Sequence, residues 1–269
     1  MSENTVAILT PFHRPALTAE EKIAYRHLTR FLGAYDRYAL IPEGLSLPYS
    51  DVEKLSFPRQ HFQSRQAYSR LLLSPRFYEK FTRYRYLLLY QLDCLVFSSD
   101  LEHWCSLGYD YIGAPLFHDT TDPAKGFSRV GNGGLSLRRV DTFLKVLAST
   151  RIPPWKEVLT APLPDLHHFP SPLSRLLKRL KVIRQARRGV RWYTAHYTLN
   201  EDLFWSDRAR LFYPAFKIAP IEIGLRFAFE AHPRYCFEQN NRQPPFGAHA
   251  WTKWDRAFWE PFLTNSRFL

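Results

Sequence analysis

Cysteine, glycine, acidic residues and long apolar runs are all in short supply in this sequence, and each shortage excludes something. Three cysteines in 269 residues, Cys94, Cys105 and Cys236, fit neither a disulfide framework nor a zinc-ligand spacing. They point to a reducing, cytosolic compartment. No apolar stretch approaches the roughly 18 residues that a bilayer span needs. The opening MSENTVAILTPFHRP lacks a basic segment followed by a long apolar one, so no signal peptide is expected. Acids are outnumbered, 25 Asp and Glu against 37 Lys and Arg, for a net charge of +12. That balance favours an anionic partner: nucleic acid, acidic lipid or a phosphorylated small molecule. Only 11 residues are glycine, yet three of them fall among the four positions 131–134. Such a cluster is either a tight turn into a strand or a backbone surface that a ligand can approach.

What is present suffices for a core, since 45% of residues are apolar and 16% aromatic. Val6–Leu9 is a short apolar run ending in Thr-Pro, the pattern of a buried first strand. Residues 17–35 have helical periodicity, with Thr18 and Glu21 spaced as a capping box and Gly33 as a stop. Arg37–Ile41 predicts a second strand closed by Pro42. Ser64–Phe81 is helical in pattern and broken before Pro75. YLLLYQLDCLVF, Tyr86–Phe97, predicts one long apolar strand with a single carboxylate inside it, and Tyr109–Pro115 another strand. Strand, helix, strand, helix, strand predicts an α/β fold whose central sheet is mixed, mostly parallel and flanked by helices.

After Val140 the pattern changes. Residues 141–150 predict a helix, and Arg151–Pro172 is proline-rich and irregular. Ser171–Trp192 carries eight Lys and Arg and no acid. Leu173, Leu176, Leu177, Leu180 and Ile183 recur there at helical spacing, which describes a basic amphipathic helix. It suits an anionic membrane surface, or equally a helix packed on the domain with a solvated basic face. With no internal repeat or linker, residues 1–269 are expected to form a single domain, with about 151–195 an irregular and basic insertion.

Three acidic or imidazole positions stand out. Asp93 sits toward the carboxyl end of a very apolar strand, where open α/β sheets bind ligands. Buried there, a carboxylate needs a partner, a hydrogen bond or a metal. Glu201 and Asp202 in NEDLFW follow a long acid-free stretch. They fit the first turn of a helix with Asn200 as N-cap, and equally a catalytic pair at a pocket rim. His249 in GAHAW is flanked by small residues, which leaves its ring free to reach a ligand or metal unless it is simply structural.

Taken in order, a strand-end Asp, a glycine loop, an acid pair and a C-terminal His resemble the glycosyltransferases of the GT-A fold. More closely, the chain resembles a family of bacterial and fungal glycosyltransferase-like proteins catalogued as a domain of unknown function. The resemblance runs from VAILTPFHRPAL through YLLLYQLDCLVF, YDYIGAP, VGNGGLSLRR, NEDLFW and FKIAP to PPFGAHAW. It implies a GT-A-like fold. Gln91-Leu92-Asp93 falls where such enzymes carry Asp-x-Asp, so Asp93 takes the metal-ligating carboxylate. Gln91 departs from the pattern and offers a neutral oxygen. Asn132, Gly133 and Gly134 take the place of the glycine loop against donor and acceptor, with Asn132 able to hydrogen-bond sugar hydroxyls. Asn200-Glu201-Asp202 falls on the x-Glu-Asp motif. Asp202 is then the catalytic base, and Glu201 holds another acceptor hydroxyl or caps the helix. His249 matches the His that closes over metal and diphosphate. Thr10 and Glu43, after the first and second strands, fall where these folds hold the nucleoside.

The resemblance further implies a UDP- or GDP-linked sugar donor, a hydroxyl acceptor on a glycan or glycolipid, and Mn²⁺ or Mg²⁺ on Asp93 and His249. A hard divalent cation suits a diphosphate leaving group. The role implied is cell-surface polysaccharide or glycolipid synthesis, in the cytoplasm or peripherally at the inner face of the membrane.

Rival functions leave weaker traces. A nucleotidyltransferase of similar fold opens with a glycine- and arginine-rich loop after the first strand, which TPFHRPAL lacks. A nucleic-acid-binding protein lines one groove with basic residues and stacking aromatics. Here the basic cluster is one segment and the aromatics lie in apolar runs, so no nucleic-acid partner is expected. Gln91 keeps a glycosyltransferase-like pseudoenzyme open.

Overall fold

In the computed structural model, which describes residues 5–161, 163 and 169–263, the first strand β1 (Val6–Pro11) is buried along its whole length. Its side chains alternate between two cores. Val6 and Ile8 pack on one face of the sheet, Ala7 and Leu9 on the other. A strand covered on both faces must be apolar at every position, which is why VAIL shows no polar alternation.

Helix α1 (Ala19–Leu32) follows. Glu21 N–H donates to the Thr18 hydroxyl (3.2 Å) and Thr18 N–H to the Glu21 carboxylate (2.9 Å), the expected capping box. Strand β2 (Asp36–Pro42) pairs parallel to β1, and β3 (Glu53–Phe57) parallel to β2. The sequence reading did not foresee β3: EKLSF is an edge strand with one buried residue. Helices α2 (Arg65–Leu72) and α3 (Pro75–Glu79) are separated just before Pro75, as expected.

The run Tyr86–Phe97 corrects the reading of one long strand. β4 (Tyr86–Tyr90) pairs parallel to β1 and stops. A turn follows, closed by Cys94 N–H donating to the Gln91 carbonyl (2.9 Å). Only then comes β5 (Leu95–Val96), in a different sheet. Apolar composition continues through the turn because both strands are buried, so composition could not show the break.

Helix α4 (Leu101–Ser106), β6 (Tyr111–Ile112), β7 (Pro115–Phe117), β8 (Phe127–Val130), β9 (Leu135–Arg139) and α5 (Val140–Leu147) come next. The expected strand at Tyr109–Pro115 is thus split between β6 and the start of β7. The central sheet has the order β3-β2-β1-β4-β9-β6, and β9 alone runs against the others. This is the mixed, mostly parallel sheet that the sequence predicts.

Residues 151–195 are less irregular than expected. They include α6 (Trp155–Thr160), α7 (Pro172–Ala186) and α8 (Val190–Ala195). Residues 162 and 164–168 of the stretch lie outside the described residues. Val158, Val182, Ala186, Val190 and Tyr193 join the same apolar cluster as Ala7 and Leu9, so these helices cover one face of the sheet.

The remainder is α9 (Glu201–Asp207), α10 (Ala209–Phe212), α11 (Ile221–Phe227), β10 (Ala228–Phe229), α12 (Pro233–Gln239), β11 (Gly247–Ala248) and α13 (Arg256–Trp259). β10, β11 and β5 form the small second sheet. β1, β2 and β4 all point their carboxyl ends to one edge of the central sheet. β9 starts at that edge, because Leu135 pairs with Tyr90. The loops there come from segments distant in sequence.

Candidate active site

The second sheet builds the centre of the site. β11 runs antiparallel to β5, with Ala248 opposite Leu95, and parallel to β10, with Phe229 opposite Ala248. His249 therefore emerges between Asp93 on one side and Glu230 on the other. The Trp251 N–H donates to the Asp93 carbonyl (3.3 Å) and the His249 N–H to the Phe229 carbonyl (2.9 Å), which fixes the three segments together. His249 Nδ1 lies 3.1 Å from Glu230 Oε1, and Nε2 lies 3.5 Å from Asp93 Oδ1.

A carboxylate can only accept, so Nδ1 carries the proton and donates to Glu230. In the neutral ring Nε2 then presents a lone pair toward Asp93 Oδ1, which is shielded from solvent and has no hydrogen-bond partner among the described residues. Two acceptors that face each other need a proton or a cation between them. Burial by itself would lower the pKa of His249. The hydrogen bond and charge of Glu230, then Asp93 and Asp202, outweigh that and leave it raised.

Asp93, Cys94 and His249 bring three potential ligand atoms within 4.8 Å of one another. The Cys94 thiol donates to the Gly134 carbonyl (3.3 Å), and burial pushes its pKa well up, so the oxygen and imidazole atoms are the ones free to coordinate. The donor set fits a divalent cation on Asp93 and His249. Glu230 holds the imidazole from behind, as carboxylates do behind metal-bound histidines.

The glycine loop bridges β8 and β9. None of Gly131, Gly133 and Gly134 takes up the left-handed backbone; Asn132 does, at φ 76°. Its side-chain oxygen accepts from Gly134 N–H (2.8 Å) and Leu135 N–H (3.4 Å), and its carbonyl accepts from the Tyr111 hydroxyl (2.7 Å). Asparagine tolerates this conformation because it can bond its own backbone. Asn132 is thus mostly committed to the turn. Only its Nδ2, buried and without a partner among the described residues, is left for a ligand. The glycines make room for neighbours. A Cβ on Gly134 would stand 2.1 Å from His249 Nε2, one on Gly133 2.7 Å from Glu201 Oε1, and one on Gly131 2.4 Å from Leu116 Cδ1. The Gln91 N–H donates to the Gly134 carbonyl (2.9 Å) and ties the Asp93 turn to this loop.

Glu201 and Asp202 open α9, with Asn200 at the N-cap position but making no side-chain cap bond. The two carboxylates separate at once. Glu201 Oε1 accepts from Arg138 Nη2 at 2.6 Å, and both side chains are buried. Arg138 also donates to the Tyr78 hydroxyl (3.2 Å) and the Ser136 hydroxyl (3.0 Å). Asp202 accepts only from the Asn132 N–H, at 3.2 Å, among the bonds its carboxylate makes to described residues. Burial pushes its carboxyl up to about 7, with the charges of Glu201 and Glu230 adding to the effect. Arg138 and the Asn132 amide oppose it.

Thr10 is buried in β1 and Glu43 is exposed just past β2. Both lie on the carboxyl edge, but the Glu43 carbonyl is engaged by Arg59 Nε (2.7 Å). Two residues of the site went unread in the sequence. Glu230 had a signal, a lone carboxylate directly after the apolar run FAF, the same pattern that marks Asp93. Arg138 had one too, a charge inside the strand LSLRR. A cleft of about 860 Å³ opens beside Glu230, lined by Leu116, His118, Arg129, Lys178, Leu203 and Trp254 among others.

No curated protein matches the chain in sequence. Among solved structures it is similar to the galactosyltransferase LgtC in complex with donor and acceptor sugar analogs. Identity is 13%, with 97% of this chain and 98% of that one covered and a TM-score of 0.49. It is similar also to core-mannan synthase A (CmsA/Ktr4) from Aspergillus fumigatus in its Mn/GDP form, at 12% identity, 82% and 73% coverage and a TM-score of 0.47. The mannosyltransferase Ktr4p from S. cerevisiae with GDP is 10% identical, with 78% and 66% covered and a TM-score of 0.40. All three scores lie below 0.5, and the architecture stands on its own sheet order and register. Residues 51–249, from the edge strand to the imidazole of the site, match the family model described as Protein of unknown function (DUF5672), and the chain belongs to that family.

Proposed function

We propose that the chain transfers a sugar from a nucleotide-diphosphate donor, UDP- or GDP-linked, to a hydroxyl on a glycan or glycolipid. Mn²⁺ or Mg²⁺ assists. The observation that carries this reading is the convergence of Asp93 Oδ1 and His249 Nε2, 3.5 Å apart and both with lone pairs to share, beside a carboxylate on the next loop. Asp93 and His249 would hold the cation, which would supply charge to offset that of the departing diphosphate.

The chain's own residues supply the rest. Asp202, on the first turn of α9, takes the proton of the acceptor hydroxyl. The acceptor oxygen forms its bond to the sugar carbon as the bond to the diphosphate breaks, and the electron pair leaves with the phosphate. A base titrating near 7 is matched to that transfer at neutral pH. Asn132 Nδ2 has a donor to spare for a sugar hydroxyl. Thr10 and Glu43, both on that sheet edge, would hold the nucleoside.

A thermal-shift screen of UDP- and GDP-sugars, with and without Mn²⁺, tests the donor site. A true donor at about 100 times its Kd stabilises by roughly 2.7 kcal/mol. If no nucleoside-diphosphate sugar stabilises the chain in a metal-dependent way, the reading fails. Metal-dependent binding without turnover or transfer would instead point to the pseudoenzyme that Gln91 keeps open.

A further inference from the structure

We propose that α7 docks the protein on an anionic lipid surface. Leu173, Leu176, Leu177 and Leu180 are 65%, 47%, 58% and 50% exposed. On a helix of 100° per residue they form one stripe, roughly opposite Val182 and Ala186, which are buried against the core. The helix thus turns its second apolar face to solvent. It is firmly built all the same. Ser171 accepts from Ser174 N–H (3.1 Å), Pro172 opens the first turn, and fifteen residues give a rod of about 22 Å. Ile152 and Trp155 add exposed apolar surface nearby, at 50% and 53%, and α6 packs against α7. A monomeric surface seldom leaves this many large apolar side chains together unless something covers them.

Charge decides the occupant. Lys181, Arg184, Arg187 and Arg188 are exposed around the stripe, and no acid occurs between Asp165 and Glu201. A second copy of the chain on this face would bring like charges together. Nucleic acid would meet the cations but leave the leucines unburied. An anionic membrane satisfies both, with leucines in the acyl boundary and cations among the headgroups. No helix among the described residues is long and apolar enough to cross a membrane, so the attachment made by α7 is peripheral.

The test is flotation of the full chain with phosphatidylcholine vesicles, with and without phosphatidylglycerol. Binding is expected only with the anionic lipid and should weaken with salt. The double variant Leu176→Ser/Leu177→Ser should bind at least about tenfold more weakly. Lys181→Glu/Arg184→Glu should lose a comparable factor. All four positions are exposed, so the variants should melt as the parent does. Equal recovery with neutral and anionic vesicles overturns the proposal, as does undiminished binding by the leucine variant. Self-association lost in that variant, without vesicle binding, would overturn it in favour of a second copy. Vesicle binding needs no transfer assay, so the result is independent of the transferase reading.

Discussion

Gly134 lies against the ring of His249, so close that a Cβ at residue 134 would stand 2.1 Å from Nε2. Glycine is needed there because the imidazole occupies the space a side chain would take. Gly134→Ala should therefore push the ring off Asp93 and abolish Mn²⁺ binding. Overpacking of this kind costs about 1–3 kcal/mol, so the variant should still fold. Mn²⁺ titration followed by electron paramagnetic resonance, with a melting curve beside it, checks both halves. A folded variant with parent-like Mn²⁺ affinity would detach the glycine from the metal site.

Asp93 and His249 are expected to act as a pair. Asp93→Asn and His249→Ala should each remove Mn²⁺-dependent stabilisation by a nucleotide-sugar, and the double variant should do little more than either alone. Glu230→Gln should weaken the metal by about 10–100-fold through the loss of the carboxylate behind the ring. Calorimetry on the four proteins, with and without EDTA, decides. Donor binding indifferent to EDTA and to all the substitutions would remove the shared metal.

Glu201 answers to stability. Its partner Arg138 is fully buried, and removing Glu201 would strand that charge. Breaking a buried pair on one side costs about 3–5 kcal/mol. Glu201→Ala should therefore unfold at clearly lower denaturant, while Glu201→Gln, which can still accept from the guanidinium, should lose less. Denaturation curves with unchanged midpoints would show that Arg138 finds another partner.

Much of this site was legible in the sequence, for reasons particular residues make plain. Asp93, the 131–134 loop, NEDLFW and His249 each break a local pattern, and the fold brings all of them to one edge. Side-chain division of labour was not legible. Glu201 and Asp202 are adjacent and chemically alike, and only the helix turn sends one to Arg138 and the other to the Asn132 amide. The strand break at Gln91 was hidden because its neighbours are buried in two different sheets. β3 was hidden because an edge strand with one buried residue carries little apolar pattern. The left-handed residue of the loop is Asn132, where three glycines drew attention away from it.

The raised pKa of Asp202 has a consequence for stability. A carboxyl that titrates near 4 in the unfolded chain and at about 7 in the folded one binds its proton more tightly when folded. The stability it contributes is fully present below about pH 4 and is lost as pH rises through about 7. Asp202→Asn keeps the shape and an acceptor for the Asn132 amide but carries no charge. The metal-free variant should match the parent at about pH 4, melt progressively higher than it as pH rises toward about 7, and keep that lead above it. Parallel melting curves across that range would mean that Asp202 titrates normally.

The same substitution should behave oppositely in catalysis. If Asp202 takes the acceptor's proton, it must be ionised to act, so transfer by the parent should rise with pH through about 7 when donor and metal leave its pKa unmoved. Loss of a general base typically costs 10²–10⁴-fold, or about 3–5 kcal/mol of barrier. Asp202→Asn should show a fall of that size in kcat, lose the pH dependence near 7, and bind donor about as well as the parent. Glu201→Gln removes a carboxylate that Arg138 already holds, so it should keep most of its rate at a temperature where it remains folded. The assay has to follow transfer to the true acceptor, because hydrolysis of the donor by water does not report the same proton. Near-parental transfer by Asp202→Asn would remove this carboxylate from the chemistry and leave the departing phosphate as the group that takes the proton. A stable protein that had lost its rate would instead show that burial of Asp202, which costs the fold at neutral pH, is retained for the reaction.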